Sequence, residues 1–135
     1  MKSLIFRAYS AAAILFLLVS AGANAADVVV IANPGIAISG SDIKDIFLGE
    51  KQFAGSTKLV VIDNASAQGA FLSKFIQIDV NKYNNIWTKK SFREGLTPPA
   101  VKSSDIEVSE YVKRTPGAVG YVTSNPTGVT IIQKP

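Results

Sequence analysis

Two uninterrupted aliphatic runs constrain this chain more than any other feature: Val28-Val29-Val30-Ile31-Ala32 and Leu59-Val60-Val61-Ile62. Neither alternates with polar residues, so neither suits a strand with one wet face. Strands covered on both faces need such runs, as in a parallel sheet flanked by helices. A third run, AVGYVT over 118–123, and a fourth, VTIIQ over 129–133, add two more strands.

Turn chemistry and helical spacing fill the intervals. Asn33-Pro34-Gly35 ends the first strand as a turn. Ser39 and Asp42 have capping-box spacing before a short helix over 42–48. Ile43, Ile46 and Phe47 form its apolar face, and Gly49 stops it. Residues 50–57 read as a polar loop. Ser66 is expected to cap a helix reaching Ile78, with Phe71 and Phe75 inward. Asp79 caps the next helix, whose buried stripe is Val80, Tyr83, Ile86 and Trp87. That stripe reads as core rather than as a ligand platform. Residues 92–101, with Gly95 and Pro98-Pro99, read as a loop. Ser104 and Glu107 form a capping box for a helix through Arg114, along which Glu110 and Arg114 are an i,i+4 ion pair. The order β-α-β-α-α-α-β-β predicts an α/β fold: a three-layer sandwich with helices on both faces of a mainly parallel sheet.

Residues 1–25 stand apart. Lys2 and Arg7 precede an apolar stretch over 11–19, and Ala23-Asn24-Ala25 has the A-x-A form of a cleavage site. The stretch is shorter than the roughly 20 residues that span a bilayer. It reads as a secretory signal peptide, leaving one domain over 26–135 in the periplasm or secreted. The whole chain carries 14 Lys and Arg against 10 Asp and Glu, a net +4. Loss of Lys2 and Arg7 leaves +2. Lys89, Lys90 and Arg93 are the densest basic patch and read as a solvated helix end. No nucleic-acid partner is expected. The chain has no Cys and no His. Thiol chemistry, disulfides, Cys/His zinc sites and a His general base are therefore excluded, and no cofactor is expected.

In open α/β sheets, ligands sit beyond the carboxyl ends of the strands. Three segments rich in Ser, Thr, Asn and Gly are expected there: 33–41, 63–68 and 123–127. In the second, a helix starting near Ser66 would aim the N–H groups of Ala67, Gln68 and Gly69 at the loop, where an oxyanion is favoured. The Asn64 amide and Ser66 hydroxyl would add donors. Ordinary helix capping by Ser66 explains the same residues without a ligand. Catalysis is not expected. Asp63 has no partner base or nucleophile in reach, and Asn64-Ala65-Ser66-Ala67-Gln68 lacks the glycines and the His of a nucleophile elbow.

The stretch IKDIFLG over 43–49 resembles the I-F-x-G segment of periplasmic phosphate-binding proteins of ABC importers. VVIDNASAQGAF over 60–71 falls where that family has a strand, an S-G-T loop and a helix that starts with an aromatic. Trp87 sits where the family often has Trp, and TPGAVGYV over 115–122 closely resembles its P-G-A-I-G-Y motif. The resemblance spans about 28–124. It implies a type 2 periplasmic-binding-protein fold, here one single lobe, and a solute-binding role without enzymatic activity. It assigns phosphate to Ser66, Ala67 and Gln68, in place of the S-G-T turn. The family's Arg, four residues before that Ser, falls on Ile62, and its acidic residue, two before, falls on Asn64.

The chain is therefore expected to bind phosphate or a related oxyanion through Asn64, Ser66, Ala67 and Gln68, with Ser39 and Thr123 completing the site. An ABC permease or a membrane sensor is the expected protein partner, and a homodimer would close two single lobes over one ligand. The alternative is a ligand-free protein-interaction or sensory module that keeps the binding-protein fold.

Overall fold

A computed structural model describes residues 27–133. The segment read as a signal peptide lies outside them. The strands are β1 (Val29–Ala32), β2 (Phe53–Ala54), β3 (Thr57–Lys58), β4 (Val60–Asn64), β5 (Ala100–Lys102), β6 (Ala118–Val122) and β7 (Thr130–Gln133). The helices are α1 (Ile43–Phe47), α2 (Gln68–Phe71), α3 (Val80–Glu94) and α4 (Asp105–Arg114). A 3₁₀ turn over Gly40–Asp42 leads into α1, and a π-helical turn over Leu72–Ile76 continues α2.

The main sheet has the order β5-β4-β6-β1-β7. β4 is parallel to both β5 and β6. β1 is antiparallel to both β6 and β7. Four of the five strands thus run the same way, and β1 alone runs against them. Its apolar run implied parallel neighbours, which is corrected here. Burial on both faces follows from the layers, whereas direction follows from how the chain returns.

Side chains of β1 alternate between two cores, as the pleat requires. Val28, Val30 and Ala32 join Ile43, Phe47, Phe71, Tyr83, Trp87 and Tyr121 beneath α1, α2 and α3. Val29 and Ile31 join Ile62, Val108, Val112 and Val122 beneath α4. These are the three layers that the sequence predicts. In the first core the Phe71 ring stacks on Tyr121, with centroids 3.9 Å apart and planes 2° off parallel. Phe47 leans on both rings.

The helix ends follow their caps. The Asp79 carboxylate accepts from Lys82 N–H at 2.7 Å and opens α3, and Gly95 closes it. Ser104 Oγ accepts from Glu107 N–H at 3.3 Å at the start of α4. The Glu107 carboxylate reaches back to Ser103 N–H, one residue before the expected cap. Glu110 pairs with Lys113 rather than Arg114, whose Nε donates to the Glu110 carbonyl instead. The helix expected from Ser66 to Ile78 is broken into α2 and the π turn.

Two motif glycines have packing reasons. Gly49 follows α1 with φ +78°, and a Cβ there would meet Trp87 Cη2 at 2.9 Å. Trp87 in turn donates its indole N–H to the Phe47 carbonyl at 3.0 Å. Gly117, with φ +83°, lies against the Lys58 carbonyl, and its own carbonyl accepts from Val60 N–H at 2.9 Å. That contact sets the register of β4 against β6.

Candidate functional site

β4 and β6 end side by side, next to the amino end of α4. At this end successive residues of β4 face opposite layers. Asp63 faces the α3 layer and Asn64 faces α4.

Asp63 is 1% exposed. Its carboxylate accepts from the Tyr83 hydroxyl at 2.9 Å and the Tyr121 hydroxyl at 2.8 Å. Burial pushes its pKa above the usual carboxylate value, and the two hydroxyls pull it partway back. Both tyrosines are held well above their ordinary range, first by burial and then by the neighbouring Asp63 charge. Such a group favours the folded state most at low pH. Its contribution is full below the unfolded value near 3.8 and is lost as pH rises through the raised folded value. Asp63→Asn should remove this dependence. Urea midpoints measured from pH 4 to pH 8 should show the wild type losing stability relative to the variant as pH rises. Parallel curves would mean that burial exacts no penalty from the charge.

Asn64 is fully buried. Its Nδ2 donates to Asp105 Oδ1 at 2.8 Å and to the Tyr121 carbonyl at 3.1 Å. Its Oδ1 accepts from Ser66 N–H at 3.0 Å and from the Ser66 hydroxyl at 2.6 Å. The whole amide is engaged, two bonds given and two received. Asp105, the first residue of α4, uses its other oxygen to accept from Thr123 N–H at 3.0 Å and the Thr123 hydroxyl at 2.6 Å. The positive end of the α4 dipole favours that carboxylate.

One line of hydrogen bonds therefore runs Ser66–Asn64–Asp105–Thr123, and Asp105 links the ends of β4 and β6. The sequence reading missed Asp105. Its signal was an acid directly after the Ser104 cap, which looks like ordinary first-turn chemistry. Ala67 is buried, and its N–H, expected to be free, donates to the Asn64 carbonyl at 3.0 Å. Ala67, not Ser66, is the cap residue of α2, because the Ser66 hydroxyl turns to Asn64. Gln68 opens α2. The N–H groups of Gln68 and Gly69 lie in its first turn, where the helix supplies no acceptor.

The expected convergence of three loops is corrected to two. Because β1 runs in reverse, its carboxyl end lies at the amino end of β6, and Asn33 N–H donates to the Ala118 carbonyl at 2.9 Å. Residues 33–41 therefore leave the sheet from the opposite end. Ser39 makes its side-chain contacts with Ser41 and Asp42 in its own turn, and the structure does not join it to the network. Among the described residues no helix is long and apolar enough to cross a membrane.

No protein-family model and no curated protein matches the chain. Solved structures do. One is PstS from Borrelia burgdorferi, at 21% identity and a TM-score of 0.55, covering 78% of this chain and 46% of that one. Another, from Clostridium perfringens, is described as a phosphate ABC transporter substrate-binding protein with bound phosphate. It has 16% identity and a TM-score of 0.56, with 79% of this chain and 44% of that one covered. The chain spans less than half the length of either. At these identities the likeness is one of architecture: the chain has the α/β fold of solved phosphate receptors, as a partial, single lobe.

Proposed function

We propose that this chain is an exported, non-enzymatic solute-binding protein that takes phosphate or a related oxyanion at the carboxyl ends of β4 and β6. The observation that carries the reading is the fold shared with a receptor solved with bound phosphate. The first-turn N–H groups of Gln68 and Gly69 are the donors best placed for the anion, and the Ser66 hydroxyl joins them if its proton leaves Asn64 Oδ1. Thr123 joins them if Asp105 gives up its hydrogen bonds. Residues 26–135 form the working domain, and 1–25 direct its export. The open face of a single lobe suits a second copy of the chain, and an ABC permease or membrane sensor is the protein partner.

A second reading has its own support. Asp105 already engages Asn64 and Thr123, and Ile62 is packed in the core, 1% exposed, where the resembled family has Arg. A lobe whose donors are internally satisfied suits a ligand-free interaction module.

Thermal melts in phosphate, with sulfate and nitrate at matched ionic strength, separate the two. Phosphate at 100 times its dissociation constant should stabilise the chain by about 2.7 kcal/mol. Each kcal/mol moves the midpoint by roughly 4 °C or more at this size. Ser66→Ala should shrink a phosphate-specific rise. Equal behaviour in all three salts up to millimolar phosphate would leave the interaction module standing.

A further inference from the structure

A cavity lies along the other end of β4. The edge strand β5 begins only at Ala100 and pairs with β4 from Ile62 onward. The residues just before it, Pro98 and Pro99, have no N–H with which to extend the ladder. Val60 and Val61 thus have β6 on one side and no strand on the other. Lys51, Gln52 and Lys58 on one side and the 95–99 segment on the other border the gap and leave a partly enclosed cavity of about 380 Å³. Its volume falls in the range of small-molecule pockets and holds roughly a dozen non-hydrogen atoms.

The walls are mostly apolar, with Ile46, Leu59, Trp87 and Leu96 among them. No Asp or Glu lines the cavity, whereas Lys51 and Lys58 do. Lys51 touches Asp42 loosely at 3.7 Å, and among the described residues Lys58 has no ion pair. An apolar chamber edged by two cations and no carboxylate complements a small amphipathic acid. We propose that this cavity is a binding site for a small apolar carboxylate. The ligand's hydrocarbon or aromatic body lies against Trp87, Leu59 and Leu96, and its carboxylate meets Lys51 and Lys58. The site is separate from the oxyanion reading, because Asn64, Ser66, Gln68 and Thr123 do not line the cavity and its last β4 residue, Ile62, lies roughly 7 Å along the strand from Asn64 at 3.3 Å per residue.

Trp87 is the only tryptophan in the chain, so emission reports on the surroundings of this one cavity-lining side chain, and the Lys51, Lys58 and Leu96 variants tie a change to the cavity itself. The purified chain is titrated with 4-phenylbutyrate, with the neutral 4-phenylbutanol as comparison. A saturable change is expected with the acid, half-complete near or below ~1 mM. Lys51→Ala with Lys58→Ala should weaken the acid about fivefold and leave the alcohol unchanged. Both lysine side chains are at the surface, so the variant tests charge without disturbing the core. Leu96→Phe, which pushes a ring into the cavity, should weaken both ligands. No saturable change up to 10 times that concentration (on the order of 10 mM) overturns the proposal. So does equal binding of acid and alcohol that ignores the lysines, or full binding in the Leu96→Phe variant. Inorganic phosphate should leave Trp87 emission unchanged. A response to it as large as the acid's would reveal a general ion effect and likewise overturn the site, without bearing on the phosphate reading.

Discussion

Gly117→Ala should lower the stability of this protein by about 4 kcal/mol, a large fraction of what a domain of this size has in total. Two effects add. The φ of +83° is a left-handed conformation that costs a side-chain-bearing residue about 1–3 kcal/mol. A Cβ at this position would also overlap the Lys58 carbonyl oxygen, with Thr57 Cγ2 at 3.2 Å leaving no room to move aside. Relief would require β3 to separate from the start of β6, typically another 1–3 kcal/mol of overpacking. Urea denaturation followed by circular dichroism measures the result. The midpoint should fall with the slope unchanged. A midpoint within 0.2 M of wild type would show that Gly117 is not locked to this contact. Gly120 makes a useful contrast. A Cβ there meets the Val108 Cγ1 methyl at 2.8 Å, but that obstacle is a side chain and the backbone is in an ordinary conformation.

The second large effect belongs to Phe71. Truncation to alanine should cost about 3–5 kcal/mol, as for other fully buried aromatics. Phe71 ends α2 and stacks on Tyr121, whose hydroxyl holds Asp63. Its loss leaves a cavity, removes the stack, and frees the segment that carries Ser66 and Gln68. Global stability measured by urea should fall. Amide exchange in residues 66–72 should also rise more than elsewhere, because that turn loses its anchor. If exchange rose evenly over the whole chain, Phe71 would matter only for the core and not for the geometry of the loop. Phe71→Leu, which refills much of the volume, should recover most of the stability and little of the local protection.

What the sequence makes legible depends on how much each feature is decided locally. β1, β4 and β6 announce themselves through apolar runs, and α3 and α4 through Asp79 and Ser104. The small strands β2, β3 and β5 have no such signal. Phe53 and Val101 are more than half exposed, and these strands exist only because a neighbour supplies the pairing. The direction of β1 is equally silent, since two-sided burial demands the same residues whichever way a strand runs. That one ambiguity misplaces Ser39. In the candidate site, Asn64 and Ser66 could be named from the loop after the second apolar run. Their bonds could not. Ser66 has two local partners to choose between, the N–H donors of its own helix and the Asn64 Oδ1 acceptor, and tertiary packing of Asn64 against α4 decides for the latter. Asp105 lies 41 residues from Asn64 and meets it only after β5 and α4 have docked.

The reversed strand also bears on when this protein can fold. β1 lies between β6 and β7, so Val29 waits for Val122, and Val30 for Gln133. Pairings this distant in sequence form slowly. On a ribosome adding about 5–20 residues per second, β1 is made many seconds before either neighbour exists. During that interval the most apolar stretch of the domain has nothing to pair with, and the sheet has a gap where its second-to-last strand belongs. The sheet therefore stays open until Gln133 has been made. A chaperone that binds exposed apolar segments has that interval in which to engage β1 before the fold closes.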